Sequence, residues 1–188
     1  MIIYIIEKNY EKYKYLEIYF KDLANVKLIN EDFESFIKNN KVQCVVSPAN
    51  SFGLMDGGFD YVLTKWYGNQ LQERVQKYII DNYYGEQPVG TSFIINTNKD
   101  NQYLIHTPTM RTPEIIKDEK VVYQCMRTTL IEAKRNNIES ILIPMFGGSA
   151  GGVKPQLIAK LMRLAYDQLQ ELPTEITLKY ADKLRLEL

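Results

Sequence analysis

The residues best suited to chemistry are concentrated in two glycine-rich segments. SPANSFGLMDGGFD, residues 47–60, is called the first loop, and PMFGGSAGGVKP, residues 144–155, the second loop. Glycines let a backbone come close to a ligand, and unpaired N–H groups at the start of a helix attract an anion. One such loop suits phosphate. Two of them, each between a strand and a helix, favour a ligand with a diphosphate.

Two more specific nucleotide sites are disfavoured by the sequence. Neither loop has the Gly-Lys-Ser/Thr ending of a P-loop, and neither has the G-x-G-x-x-G spacing of a dinucleotide-binding fold. The alternative that stays open is that both loops are tight turns without a ligand, because glycine is also common in turns.

The elements that must position these loops are short strands alternating with amphipathic helices. Apolar and β-branched runs predict strands over residues 2–6, 26–29, 42–46, 92–96, 103–106, 141–144 and 176–178. Apolar periodicity predicts helices over residues 10–23, 61–84 (two helices, broken near Gly68), 121–136 and 156–172. The alternation predicts one α/β domain over residues 1–188, with helices on both faces of a mostly parallel or mixed sheet. The strands near 92–96 and 103–106 are predicted to form an antiparallel hairpin.

Composition narrows the class of protein. The 188 residues are 45% apolar, which is enough for a core, and Lys+Arg equals Asp+Glu at 23 each, so there is no strong nucleic-acid signal. The apolar start MIIYII is too short for a signal peptide, and no stretch is long enough to span a bilayer. The two cysteines share no metal-ligand spacing with the single histidine. We therefore expect a cytoplasmic protein (in the host cell, if it is viral) with reduced thiols, no membrane association, no metal and no cofactor.

The stretch VVSPANSFGLMDGGFDYVLTKWYG, residues 45–68, resembles the signature of the macrodomain, the ADP-ribose-binding module. The usual form of that signature is an apolar strand ending in Asn-Ala-Ala-Asn, a short loop, a Gly-Gly-Gly run and a helix. Here the tetrad Ser-Pro-Ala-Asn ends in Asn50, and Asp56 precedes Gly57 and Gly58. IPMFGGSAGGVKP is similar to the family's second phosphate loop. PVGTSFIIN and YLIHTPTMRTP are similar to the middle strands of a macro-like subgroup, also met in phage-tail-associated and other microbial proteins.

The resemblance implies a three-layer α/β/α fold with a central mixed sheet of six to seven strands, and it implies roles for single residues. Asn50 would hydrogen-bond the distal ribose, the one not attached to adenine. Gly57 and Gly58 would line this ribose and the diphosphate. Asp32 would bind adenine, with Glu31 as a competitor; N-capping of the helix FESFIKNN is the alternative role of Asp32. The diphosphate would be wrapped from the other side by Gly147, Gly148, Ser149, Ala150 and Gly151.

Asp60 decides whether the resemblance extends to catalysis. Macrodomains that remove mono-ADP-ribose from protein carboxylates resemble the spacing found here, a glycine run, one apolar residue and an aspartate. Near the distal ribose, Asp60 would orient or deprotonate the water that attacks the anomeric carbon, helped by the ligand's own diphosphate. Asp56, in a position that is usually glycine, is a second candidate. Capping of the following helix is the alternative for Asp60.

Two departures from hydrolytic relatives leave other functions open. The first departure is Ala150. Hydrolytic relatives usually have an aromatic residue at this position of the second loop, placed over the distal ribose. Phe146 would take the place of that aromatic residue only if the loop followed a different path. The second departure is Asp56, whose carboxylate would repel a diphosphate unless it contacts a ribose hydroxyl or is itself the catalytic group. The Gln-Glu-Glu run is absent, so the pattern of poly(ADP-ribose) glycohydrolases does not apply. The sequence therefore predicts binding of ADP-ribose or an ADP-ribosylated macromolecule, with hydrolysis of a linkage to protein, nucleic acid or a small metabolite. The alternatives are a non-catalytic reader and a virion or tail-associated structural protein.

Overall fold

Six strands and seven helices follow one another along residues 1–188 of the computed structural model. The strands are β1 (Ile2–Ile6), β2 (Val26–Ile29), β3 (Cys44–Ser47), β4 (Phe93–Asn96), β5 (Tyr103–His106) and β6 (Ser140–Pro144). The helices are α1 (Tyr10–Phe20), α2 (Phe33–Asn39), α3 (Gly58–Tyr67), α4 (Gln70–Tyr83), α5 (Lys120–Arg135), α6 (Pro155–Gln168) and α7 (Leu178–Glu187). None of these helices combines the length and the apolar character needed to cross a membrane.

The strands form one mixed sheet in the order β2-β1-β6-β3-β5-β4. All neighbours are parallel except β4 and β5, which are antiparallel, with Ile94 opposite Ile105. Residues 97–102 are too few for a crossover and turn back through left-handed backbone at Asn98, Asp100 and Asn101. The predicted mixed sheet and the predicted hairpin are therefore confirmed.

Helices cover both faces of the sheet, because its central strands are apolar on both sides. In β3, Cys44 and Val46 pack into a core of 28 residues with α1, α5 and α6, whereas Val45 packs into a core of 14 residues with α2, α3 and α4. Successive side chains of a strand point to opposite faces, so one short apolar strand contributes to both cores. The predicted three-layer α/β/α fold is confirmed.

The seventh predicted strand, residues 176–178, does not form. Thr177 is instead the N-cap of α7, and its side chain accepts a hydrogen bond from the N–H of Tyr180 at 3.2 Å. Ile176 and Leu178 are 83% and 79% exposed, so this apolar run does not belong to a core. A capping threonine before a helix-forming sequence overrides a run of only three residues with strand propensity.

Candidate functional site

A cleft of about 610 Å³ opens where β1, β3 and β6 end. Both glycine-rich loops line it, the first after β3 and the second after β6. The two strands are direct neighbours in the sheet, and parallel strands bring the loops after their carboxyl ends to one edge. The two segments singled out from the sequence therefore meet in one site.

Asn50 shapes the beginning of the first loop. Its side-chain Oδ1 accepts hydrogen bonds from the N–H groups of Phe52 (3.1 Å) and Leu54 (3.2 Å), and its Nδ2 donates to the carbonyl of Leu54 at 2.7 Å. Asn50 is buried and also lines the cleft. The loop thus uses both ends of this amide for its own conformation, and the expected contact with the distal ribose stays a prediction.

Two of the first loop's three glycines, Gly57 and Gly58, stand in open space, whereas a Cβ on Gly53 would lie 2.7 Å from the Cγ1 of Val75. A Cβ added at Gly57 or Gly58 would meet no atom within 4 Å, and Gly58 has a φ of +57°. The N–H groups of Asp56, Gly57 and Gly58 find no acceptor within the protein. Gly57 is the N-cap of α3, without a side-chain hydrogen bond. This backbone therefore offers donors and close approach to whatever occupies the cleft.

The second loop turns its carbonyls toward the protein. Four of them accept hydrogen bonds: Gly147 from the N–H of Val153 (3.1 Å), Gly148 from the Nζ of Lys12 (2.7 Å), Ser149 from the N–H of Gly152 (3.1 Å) and Gly151 from the N–H of Ile116 (2.9 Å). The N–H groups of residues 147–151, in contrast, have no acceptor within the protein. Successive backbone N–H groups without partners form a concave donor site for an anion.

The glycines of the second loop are required by close packing. A Cβ on Gly151 would lie 2.5 Å from the Cδ1 of Ile116 and 2.8 Å from the carbonyl oxygen of Gly147. Gly147 has a φ of +73°, and a Cβ there would lie 2.9 Å from the same Cδ1. Ser149 and Ala150, at the tip of the loop, are exposed, and both residues line the cleft.

Phe146 does not replace the aromatic residue that hydrolytic relatives have in this loop. Its side chain is fully buried in the larger core and does not line the cleft. Phe146 lies two residues after the end of β6 and packs among α5 and α6, where burial of an aromatic ring is favourable. The assignment of Phe146 to the ligand site is therefore corrected to a core residue.

Asp60 is a buried carboxyl at the wall of the cleft. It is 8% exposed, and its Oδ1 accepts a hydrogen bond from the Oγ of Ser47 at 2.6 Å. Burial raises the pKa of Asp60 to about 7, although the bond from Ser47 acts in the opposite direction. Gly57 and not Asp60 caps α3, so the alternative of a helix cap is wrong for Asp60.

Asp56 and Asp32 also line the cleft, in different settings. Asp56 is exposed, and its side chain makes no hydrogen bond or ion pair. Asp32 is the N-cap of α2: its Oδ1 accepts from the N–H of Ser35 at 2.9 Å and its Oδ2 from the Ser35 hydroxyl at 2.8 Å. These bonds lower the pKa of Asp32. Asp32 is thus a cap that borders the cleft, beside Glu31, and its contact with adenine stays a prediction.

The family model of the Macro domain matches residues 46–162, more than half of the chain. The chain belongs to the Macro domain family. An uncharacterised protein of Aquifex aeolicus is 32% identical over 120 residues, which is 63% of this chain and 68% of the relative.

Solved macrodomain structures share the fold. A mutant Oceanobacillus iheyensis macrodomain with ADPR is 20% identical, with a TM-score of 0.62 over 80% of this chain and 87% of that chain. The macrodomain of Mycobacterium tuberculosis DarG is 19% identical, with a TM-score of 0.60 over 70% of this chain and 85% of that chain.

One wall of this macrodomain's cleft was missed by the sequence analysis. Ile6 and Glu7, at the end of β1, line it together with Lys8 and with Lys12 of α1. Residues 1–12 contain no glycine and lie outside the stretch that resembles the family, so no motif marked them. The one available signal was that β1 is a strand followed by a helix, like the strands before the two loops.

Proposed function

We propose that this macrodomain binds ADP-ribose and hydrolyses an ADP-ribosyl linkage. The observation that carries the binding is the row of N–H groups at residues 147–151, which have no acceptor within the protein at the edge of an open cleft. A diphosphate matches such a row because each N–H can donate to a phosphate oxygen. The presence of ADPR with a macrodomain of the same fold supports this ligand.

The first loop complements the diphosphate site. The open N–H groups of Gly57 and Gly58 donate from the opposite wall, and Asn50 borders the space for the distal ribose. Asp32 and the aromatic ring of Phe33 border the cleft at the start of α2, which suits a polar contact and a flat base. The partner is ADP-ribose, free or attached to a macromolecule, in the cytoplasm.

Asp60 is the carboxyl best held for hydrolysis. The bond from Ser47 fixes one of its oxygens, and the other is free to accept a proton from water. The water oxygen attacks the anomeric carbon, the bond from that carbon to the modified group breaks, and the proton reaches the departing group through Asp60. A base is most effective when its pKa is close to the working pH, and burial raises the pKa of Asp60 to about 7.

The test has a binding arm and a turnover arm. Isothermal titration of the protein with ADP-ribose measures binding, and release of ADP-ribose from a mono-ADP-ribosylated protein measures hydrolysis. We expect Asp60→Asn to retain binding and to slow release by about 100-fold, the range of general base catalysis. Asp56→Asn tests the second candidate; we expect it to release ADP-ribose at close to the wild-type rate, since Asp56 lines the same cleft but is exposed. No binding at millimolar ADP-ribose contradicts the whole proposal. Release at the wild-type rate by Asp60→Asn contradicts the assignment of Asp60, and slow release by Asp56→Asn would then assign the role to Asp56.

A reader module is the second candidate. It is favoured by Ala150 at the exposed tip of the second loop and by the burial of Phe146, which together leave the loop without an aromatic ring at the cleft. A reader binds ADP-ribose without releasing it from a modified protein. Both a hydrolase and a reader would bind ADP-ribose in the titration. Only a hydrolase would release it from a modified protein, so the measurement of release separates the two candidates.

A further inference from the structure

We propose that Lys12 is a further ligand-binding residue that supplies the positive charge for the diphosphate. This inference rests on the proposed function, since it assigns the diphosphate of ADP-ribose to the second loop. Lys12 comes from α1, far from both loops in the sequence, and it is half-buried at the wall of the cleft.

The Lys12 side chain is held against the second loop. Its Nζ donates a hydrogen bond to the carbonyl of Gly148 at 2.7 Å. At the other end, its backbone N–H is bonded to Asn9, the N-cap of α1. A lysine ammonium has three N–H donors, so two remain after the bond to Gly148. The positive charge of Lys12 is therefore held beside the second loop, whose N–H groups at residues 147–151 have no acceptor within the protein.

The bond also acts on the loop itself. The carbonyl of Gly148 and the N–H of Ser149 belong to one peptide group, and this N–H has no acceptor within the protein. A donor at the carbonyl polarises the peptide group and makes its N–H a stronger donor. Lys12 thus favours an anion at the loop through its charge and through the peptide that it contacts.

The charges around the cleft make a cation necessary. Two lysines line it, Lys8 and Lys12, against six carboxyl groups, of which one, Glu34, is paired with Lys38 at 3.6 Å; the other five are Glu7, Glu31, Asp32, Asp56 and Asp60. A diphosphate entering such a site is repelled unless a cation offsets the carboxylates. Lys8 is exposed, and its side chain makes no hydrogen bond in the protein. Of the two lysines, only Lys12 is bonded to the diphosphate loop.

A purely structural role is the competing explanation. In that case Lys12 would only tie the second loop to α1, and its charge would not matter. Two substitutions separate the roles. Lys12→Gln keeps a side-chain donor for the Gly148 carbonyl and removes the charge, whereas Lys12→Arg keeps the charge.

The experiment is isothermal titration with ADP-ribose at several salt concentrations. We expect Lys12→Gln to weaken affinity by about tenfold or more, the usual effect of losing a charge-assisted hydrogen bond. Its affinity should also depend less on salt than that of the wild type, because one cation no longer meets the phosphates. Lys12→Arg should stay within about threefold of wild-type affinity, with a wild-type salt dependence. Lys14→Gln is the matched control on the same helix, since Lys14 pairs with Glu11 and does not line the cleft.

Three outcomes overturn the inference. Wild-type affinity in Lys12→Gln contradicts it and leaves ADP-ribose binding intact. Weaker binding with an unchanged salt dependence shows that Lys12 acts only by positioning the loop. Absence of ADP-ribose binding by the wild type contradicts the proposed function, and the inference with it. Thermal unfolding of each variant shows whether it is folded. If Lys12→Gln is not folded, Lys12→Met takes its place, because methionine also removes the charge, and reduced salt dependence is again the expected result.

Discussion

The two glycine-rich loops occupy equivalent places at the ends of neighbouring strands, yet the glycines that border the cleft have opposite surroundings in the two loops. In the first loop, Gly57 and Gly58 have no neighbours that a Cβ would meet, and the conformation depends on the side chain of Asn50. In the second loop, Gly147 and Gly151 are in such close contact that a Cβ would collide with protein atoms. A glycine run in a sequence therefore does not reveal whether the ligand or the protein's own packing requires it.

The loops also divide the chemistry between them. The first loop carries two carboxyl groups, and one of them, Asp60, is buried. Residues 144–153 of the second loop contain no titratable side chain, and the Lys12 ammonium brings a positive charge to them through its hydrogen bond to Gly148. The second loop therefore offers backbone donors without a charge of its own, and the first loop offers carboxyl groups beside them. Each of the following predictions tests one part of this contrast.

The largest expected effect is the dependence of stability on pH that Asp60 gives to the first loop. Its folded-state pKa of about 7 lies above the ordinary 3.8, so folding favours the protonated carboxyl. Its contribution to stability is complete below pH 3.8 and is lost as pH rises through about 7. Asp60→Asn cannot ionise, so at pH 8 it should be more stable than the wild type, by up to about 4 kcal/mol for a shift of three pKa units. Urea unfolding from pH 4 to 8 measures this difference, which should vanish near pH 4.

His106 does not disturb this comparison. Burial lowers its pKa from 6.5 to about 3, so its contribution to stability is complete above pH 6.5 and decreases as pH falls toward 3. The wild type and Asp60→Asn both lose this stability from His106 at low pH, so the loss cancels in the difference between their free energies of unfolding. Asp56→Asn, which replaces an exposed carboxyl of the same loop, is the control. A stability difference between Asp60→Asn and wild type that is constant from pH 4 to 8 would contradict the burial of an ionisable Asp60.

The second expected effect contrasts the glycines themselves. Gly151→Ala should destabilise the protein by about 2 kcal/mol, because the new methyl group overpacks against Ile116 and the carbonyl of Gly147. Gly57→Ala has open space and a φ of −141°, so its stability should change by less than about 1 kcal/mol. Chemical denaturation measures both. Equal destabilisation by the two alanines would show that the loops do not differ in packing.

Local patterns in the sequence predicted the fold and most of the site, and non-local packing explains the rest. Strand, loop and helix follow one another within each βα unit, so both loops and Asp60 could be placed from the sequence alone. The wall that carries Lys12 depends on β1 lying beside β6, and strand order is not encoded in any local pattern. Phe146 was misassigned because spacing does not show which way a side chain points after a strand ends. The false strand at 176–178 came from apolar residues that remain exposed.

The smallest expected effect concerns the hydrogen bonds that organise each loop. Asn50→Ala removes three hydrogen bonds of its side chain, to the backbone of Phe52 and Leu54, and should destabilise the first loop locally by about 1–2 kcal/mol. Hydrogen exchange should then quicken by about tenfold at the amides of Phe52 and Leu54. Ser149→Ala is the counterpart in the second loop; the Ser149 side chain makes no hydrogen bond, so these amides should be unaffected.

The same measurement sharpens the contrast for the second loop. Its amides at residues 147–151 have no acceptor within the protein, so they should exchange rapidly in the free protein and be protected by ADP-ribose. In the first loop, Phe52 and Leu54 should be protected with or without the ligand, because Asn50 supplies their acceptor. Protection of the amides of residues 147–151 in the free protein, as well as those of Phe52 and Leu54, would contradict the description of the second loop. It would mean that this loop provides acceptors for its own N–H groups. Protection that depends on ADP-ribose only at residues 147–151 would show that one loop is shaped by its own side chain and the other is completed by the ligand.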